Sequence, residues 1–397
     1  QDLSRNNAAL LNECIYKISE TSHYVDDLME LCGIIHKILS KIIYTENWFH
    51  ELKSSQNNLD MSNPIIITSP GNRKRLHLDS EFNPVSIFSD IGQNPNFVDC
   101  DNVIKFCKGM NYDGVIALGG GSVMDLAKVV LAHLSLGKTD IIDLIEHKKK
   151  YPKFIPSIFL PTTHGTASEV TMWGTVWDKK EKRKYSISHP KLYPNTAILD
   201  GNLTLTLPME ISITTVLDAL SHSFESIWNK NANIKSTENA ITAICLIIEN
   251  CAQLKKRSND LAIRNNLLKA STTAGLAFSN TTTAAAHSIS YPLTIRYGIP
   301  HGIASSISLI PLLKINGKYI QESLDKICHA LDLTYAELNQ KIKNIPEDII
   351  PFTLAEWGIA KNALPILAKE SFTKGRMDNN IVDLTEENVN NILMSIY

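Results

Sequence analysis

The chain has 397 residues, 44% of them hydrophobic, and a formal net charge of -2. That length and apolar content suffice for two cores, since single cores stop growing well before this size. The near-neutral balance leaves no basic footprint for nucleic acid and no polybasic patch for an anionic membrane, so a small-molecule partner is expected. Residues 1–40 are polar with helical spacing (Leu10, Leu11, Cys14, Ile15, Ile18, then Leu28, Leu31, Ile34, Ile35, Ile38). They read as a helical appendage, either the tail of a preceding domain in a longer, fused polypeptide or a gene-model artefact. From Lys41 the pattern alternates. Ile42–Tyr44, Ile65–Thr68, Val85–Ile87, Val115–Leu118, Ser157–Leu160 and Ala197–Leu199 read as strands, with helical stretches at 47–56, 98–109 and 122–134. Such alternation implies a mainly parallel sheet with helices on its faces. Beyond Leu203 helical patterns dominate: 209–228, 235–256, 259–278, 281–291, 302–313, 317–331, 335–342, 351–357, 361–369 and 385–396. The expected fold is an α/β N-terminal domain over 41–203 and an all-helical C-terminal domain over 204–397, with a cleft between them for a ligand.

Seven scattered cysteines, none in Cys-x-x-Cys spacing, argue against a disulfide framework or a thiolate metal site. No apolar run reaches the roughly 18 residues of a membrane span, and the start is polar. A cytoplasmic protein with reduced thiols is expected, its assembly open, a homodimer included.

Two loops and four side chains carry chemistry. Val115–Leu118, then Gly119-Gly120-Gly121-Ser122, then helical spacing from Val123 reads as strand, glycine turn and helix. Glycines let backbone approach an anion, and the helix N-terminus offers free N–H groups to a pyrophosphate. A second polar loop, Pro161 to Glu169 (Pro-Thr-Thr-His-Gly-Thr-Ala-Ser-Glu), follows another strand and brings donors to the same sheet edge. Asp218 and His222 stand four apart in a helical pattern and leave one face together. His287 and His301 sit in small or apolar settings that suit neutral imidazoles. Three histidines and a carboxylate suit a borderline divalent ion such as Fe(II) or Zn(II).

In these motifs the chain resembles the iron-containing (group III) alcohol dehydrogenase family, from about Lys41 to Tyr397. The resemblance is carried by Gly-Gly-Gly-Ser-x-x-Asp-x-Ala-Lys at 119–128, Thr-Thr-x-Gly-Thr-x-Ser-Glu at 162–169, Asp-Ala-Leu-x-His at 218–222 and two histidines fourteen residues apart. It implies NAD(P)-dependent interconversion of alcohol and aldehyde, with the ion held by Asp218, His222, His287 and His301. It also implies a dinucleotide site lined by Gly119, Gly120, Gly121, Ser122, Asp125, Thr162, Thr163, Thr166 and Lys184. An ion held there acts as a Lewis acid on the carbonyl oxygen while the nicotinamide supplies hydride. A fifth ligand position for substrate favours Fe(II), with Zn(II) or manganese left open.

Many relatives carry a further histidine four residues after the third ligand; here that residue is Tyr291. Tyr291 and His301 are the catalytic candidates, and proton delivery to the alkoxide falls to Tyr291 with water, or to another group. After the second strand, Ser69 stands where NAD-preferring relatives commonly have an Asp, and Arg73, Lys74 and Arg75 follow. Loss of the carboxylate and gain of cations suit a 2'-phosphate, so NADPH is expected over NADH.

Local runs such as Thr68-Ser69-Pro70-Gly71 and His287-Ser288-Ile289-Ser290-Tyr291-Pro292 resemble the phosphonoacetaldehyde reductase branch. A phosphonate dianion needs cations near the carbonyl, and His164 and Arg376 are the candidates. His164 packing on the cofactor and Arg376 pairing with Asp378 are the plainer readings. The alternatives to a phosphonate substrate are a general short-chain alcohol dehydrogenase, a dehydroquinate synthase-like cyclase sharing the fold plan, and a catalytically silent binding protein.

Overall fold

The structure is a computed structural model describing residues 41–146, 151–178, 180–181 and 183–397. The helical appendage expected over 1–40 lies outside the described residues. Strands β1 (Lys41–Tyr44), β2 (Pro64–Thr68), β3 (Ile87–Phe88), β4 (Gly114–Gly119), β5 (Ser157–Pro161) and β8 (Thr196–Leu199) form one sheet in the order β1-β8-β5-β4-β2-β3. All of its pairings are parallel. Every residue of β2, β4, β5 and β8 is buried, as expected for strands covered on both faces. Alternate side chains serve two cores: Ile65, Ile67, Val115, Ala117 and Phe159 on one face, and Ile66, Ile116, Leu118, Ile158 and Leu160 on the other.

The helices of this half are α1 (Trp48–Asn58), α2 (Pro70–Arg75), α3 (Leu78–Glu81), α4 (Phe97–Cys107), α5 (Gly121–Leu136) and α6 (Ile141–Glu146). α5 is buried almost throughout, because β4 covers one side and an antiparallel hairpin, β6 (Trp173–Asp178) and β7 (Arg183–Ser188), covers another. The strands read from the sequence do not include this hairpin. The third expected strand also shifts. Pro84 starts a short 3-10 turn through Ser86, so pairing begins only at Ile87.

The remainder is helical: α7 (Met209–Ile227), α8 (Ile234–Lys256), α9 (Leu261–Thr281), α10 (Ala285–Tyr297), α11 (His301–Ser306), α12 (Leu309–Asn316), α13 (Gln321–Leu331), α14 (Tyr335–Asn344), α15 (Leu364–Glu370) and α16 (Glu386–Ser395). Three expectations need correction. The 302–313 helix is two helices, because Pro311 is tolerated only in a first turn and a new helix starts at Leu309. Pro292 does not end α10, which continues to Tyr297. Residues 351–357 form turns, not a helix.

α7 runs through the centre of the helical core, and every residue from Val216 to Ile227 is buried. Its polar residues therefore need partners. Ser223 and Ser226 satisfy themselves on carbonyls one turn back, and Ser221 donates to the Ser305 carbonyl. Asp218, His222 and Glu225 remain to be matched from other elements.

Candidate active site

A cleft of about 1560 Å³ runs from the C-terminal ends of β2, β4 and β5 to α7, α10 and α11. The end of open parallel strands is the usual ligand crevice of α/β sheets.

At its deep end, Asp218, His222 and His287 each offer a ligand atom, all within 4.8 Å of one another. His287 Nε2 lies 3.6 Å and His301 Nε2 3.9 Å from Asp218 Oδ1. The His222 and His287 rings stack with centroids 4.5 Å apart, and His301 meets His287 edge-on at 5.3 Å. Asp218 is further held by Ser305, whose Oγ donates to Oδ1 at 3.0 Å. The four expected ligands thus come together from three helices.

This cluster fits a divalent ion. His287 Nε2, which faces Asp218, is buried with no hydrogen-bond partner, and such an orphan costs about 1–3 kcal/mol. An ion drawing that lone pair would relieve the cost, and three imidazoles beside one carboxylate are a donor set that suits Fe(II) or Zn(II). Burial opposes charge on Asp218, yet the surrounding His222, His287 and His301 hold its carboxyl well below the usual range. Burial pushes His222 down to about 4 and His301 down to about 3, leaving neutral imidazoles.

Sequence reasoning missed Glu225. It is fully buried on the face of α7 shared with Asp218 and His222, and it accepts from His287 Nδ1 at 2.5 Å and from the His287 backbone N–H at 3.0 Å. A carboxylate on Nδ1 holds the ring proton there, fixes the tautomer and leaves the Nε2 lone pair facing the Asp218 cluster. Burial works against charge on His287, but Glu225 and Asp218 outweigh it and raise its basicity to about 10. A cation at Nε2, a proton or a metal ion, faces Asp218 directly, while Glu225 acts on it through the ring from Nδ1. A glutamate seven residues after Asp218 in an apolar helix was the available signal.

At the other end Gly120 is the N-cap of α5, and no side chain caps it. A Cβ on Gly120 would stand 3.0 Å from the Thr163 side chain and one on Gly121 2.6 Å from that of Thr166. The glycines therefore let the two loops close on each other. Gly120, Gly121, Ser122, Asp125, Thr162, Thr163 and Thr166 all line the cleft, whereas Gly119 does not. Gly119 ends β4, and a Cβ there would meet Val123 at 2.5 Å, so its smallness serves packing of α5 on the sheet.

One turn along, burial pushes Asp125 up and Lys128 down; each partly restores the other's charge. Lys128 Nζ donates to Ser168 Oγ at 2.7 Å and to the Trp173 carbonyl at 2.7 Å, bracing the second loop against α5.

Ser69 also lines the cleft and caps α2, its Oγ accepting from the Asn72 N–H at 3.2 Å. Of the three cations that follow, two are committed elsewhere. Arg73 pairs with Asp79 at 2.6 Å, and Arg75 donates to Asn72 Oδ1 and the Leu203 carbonyl. Lys74 is exposed and has no such partner among the described residues.

Between the two ends lie Lys184, Tyr291 and Arg376, all on the cleft wall. Tyr291 follows His287 by one turn of α10. Arg376 Nε donates to its hydroxyl at 3.3 Å, and Lys184 Nζ sits 4.8 Å from its ring centroid. Burial raises the phenol, but Lys184, Arg376 and His287 outweigh it, and its pKa falls below the ordinary value. Arg376 does not pair with Asp378, whose carboxylate accepts from the Gly375 N–H.

His164 requires a correction. It is 0% exposed, off the cleft wall, and pushed down to about 3 by burial with Arg264 adding to the effect. Gly165 presses the loop onto α7, where a Cβ would stand 2.6 Å from the Thr215 carbonyl, and His164 is enclosed with it. A neutral, enclosed imidazole is not a cation for a substrate.

Compared with known proteins, residues 40–201 match the iron-containing alcohol dehydrogenase model and residues 212–397 match the C-terminal model of the Fe-containing alcohol dehydrogenase family. The chain belongs to the iron-containing alcohol dehydrogenase family. Within it, long-chain-alcohol dehydrogenase 1 of Geobacillus thermodenitrificans is 30% identical over 79% of this chain and 84% of its own length. A phosphonoacetaldehyde reductase of Streptomyces viridochromogenes is 34% identical, over 51% of this chain and 53% of its own. Among solved structures, the sulfoacetaldehyde reductase of Bifidobacterium kashiwanohense in complex with NAD+ superposes with a TM-score of 0.82 at 26% identity. That superposition covers 90% of this chain and 97% of the other. As an iron-containing alcohol dehydrogenase family member, this chain is an oxidoreductase.

Proposed function

We propose that this family member reduces phosphonoacetaldehyde to 2-hydroxyethylphosphonate, the aldehyde taking hydride from NADPH and a proton from the protein, and NADP+ leaving. The observation that carries the reading is the Lys184–Tyr291–Arg376 group, two cations flanking a phenol one helical turn from His287. A short aldehyde with its carbonyl at the Asp218 cluster can reach these cations with a distal dianion, as charge-assisted recognition requires. Relatives named for phosphono- and sulfoacetaldehyde lend support.

Asp218, His222, His287 and His301 would hold the ion, Fe(II) first and Zn(II) second. Bound there, it supplies Lewis acidity for a carbonyl oxygen. Tyr291, with its proton loosened by Lys184 and Arg376, is the donor toward that oxygen, with water bridging where reach is short. Gly120, Gly121, Ser122, Thr162, Thr163 and Thr166 hold the pyrophosphate, and Ser69 on the cleft wall, with the exposed Lys74 on the same short helix, supports the NADPH preference. The free thiols of Cys100, Cys107, Cys245, Cys251 and Cys328 support a cytoplasmic location.

The test compares kcat/KM for phosphonoacetaldehyde and propanal with NADPH and iron. A strong preference for the phosphonate is expected. Equal values would overturn the phosphonate assignment and return the protein to general short-chain alcohol dehydrogenase activity.

A further inference from the structure

Thr282 adopts φ 62° and ψ -179°, a backbone region suited almost only to glycine. It lies between α9 and α10, three residues before the helix start that leads into His287. Its neighbours hold it from several sides. Its N–H donates to the Phe278 carbonyl at 2.7 Å, Asn229 Nδ2 donates to its carbonyl at 3.2 Å, and Asn379 Nδ2 donates to its Oγ1 at 2.8 Å.

Asn379 does more than hold Thr282. The same amide nitrogen also reaches the Thr283 carbonyl at 2.9 Å and the Gly375 carbonyl at 2.9 Å. Its two hydrogens are thus spread over three acceptors on two separate segments. Gly375 immediately precedes Arg376, and its carbonyl also accepts from the Arg376 guanidinium at 2.9 Å. At the other side of the turn, Thr373 N–H donates to Ser288 Oγ, one residue beyond His287. The 373–380 turn is therefore fastened to the start of α10 at both ends, with Arg376 between the fastenings.

We infer that Asn379 is a positioning residue for substrate charge: it latches the 373–380 turn to the strained Thr282 corner and so holds Arg376 where a distal anionic group of the substrate meets it. This rests on the anionic-substrate reading above. Asn379 itself does not line the cleft. Without the latch the Arg376 guanidinium stays charged but loses its fixed place, and binding energy from a rigid cation is what a small charged aldehyde has available.

The experiment measures KM and kcat for phosphonoacetaldehyde and for propanal, with bound iron, in the wild type, Arg376→Ala, Asn379→Ala and Asn379→Ala/Thr282→Gly. Asn379→Ala is expected to raise KM for phosphonoacetaldehyde by about tenfold while KM for propanal and iron content change by less than about twofold, any fall in kcat being shared by both aldehydes because Arg376 also contacts Tyr291. The double variant, in which glycine relaxes the corner, recovers thermal stability but keeps the raised KM; it also serves if the single variant folds poorly. Equal KM changes for both aldehydes would reduce Asn379 to a structural role and overturn the inference. An effect of Arg376→Ala on the phosphonate KM without one from Asn379→Ala overturns the latch alone. No effect of Arg376→Ala overturns the anionic-substrate reading and the latch with it.

Discussion

Glu225 grips His287 twice, one oxygen on ring Nδ1 at 2.5 Å and the other on the backbone N–H at 3.0 Å. The helix start and the imidazole are thus fixed by one buried carboxylate on a different helix. Removing an outer partner of a ligating histidine typically lowers metal affinity by about 10–100-fold. Glu225→Ala should therefore lose iron readily to a chelator, with NADPH affinity nearly unchanged. His287→Ala is the comparator and should lose metal and turnover together. Metal analysis after dialysis decides it: iron retention by Glu225→Ala equal to wild type would remove the orienting role.

The cofactor end makes a separable prediction. Gly121 has a negative φ, so alanine is conformationally allowed there, but its Cβ would stand 2.6 Å from Thr166 Cγ2. Forcing the two loops apart costs about 1–3 kcal/mol, or roughly five- to 150-fold in Kd. Gly121→Ala should weaken NADPH binding by that order, read by nucleotide fluorescence, and leave the metal content as it was. Unchanged affinity would mean that the approach of the two loops does not shape the site.

On the NADPH proposal, discrimination between cofactors falls to Ser69 and Lys74, since Arg73 and Arg75 are held by Asp79 and the Leu203 carbonyl. A charge-assisted contact is worth about 1.5–3 kcal/mol, so Lys74→Ala should cut the NADPH/NADH ratio of kcat/KM about tenfold or more. Ser69→Asp keeps an equally good cap on α2 and should move the ratio the same way by repelling the 2'-phosphate. Wild-type kinetics favouring NADH would end the NADPH proposal at once.

The sequence disclosed what depends on local pattern. β2, β4 and β5 are short apolar runs ended by Pro or Gly because both their faces are covered, and Asp218 and His222 share a face because four residues make about one turn. What it hid depends on contacts far along the chain. Arg75 spends its charge on the Leu203 carbonyl, 128 residues away. Glu225 acquires its role only because His287 arrives 62 residues later. The β6–β7 hairpin alternates with Val176 and Ile187 inward, yet its turn is Lys-rich and lacks the Gly or Asn that marks a tight hairpin.

His164 carries the last prediction, on stability rather than activity. Enclosed and lowered to about 3, it stays neutral in the folded protein over a range where the unfolded chain, with an ordinary pKa near 6.5, takes up a proton. The unfolded state then binds more protons, so stability is intact above about pH 6.5 and falls as pH drops toward 3, by about 1.4 kcal/mol per unit. Between pH 7 and 5 this single side chain accounts for about 2 kcal/mol of the loss. His164→Asn removes the titration, and its denaturation midpoint should fall less over that interval than the wild type's, whatever its stability at pH 7. Every other histidine is common to both proteins, so the difference between the two slopes isolates position 164. Parallel pH profiles in urea unfolding would mean that His164 is protonated in the folded state after all, and the case for a cation in the Thr-rich loop would reopen.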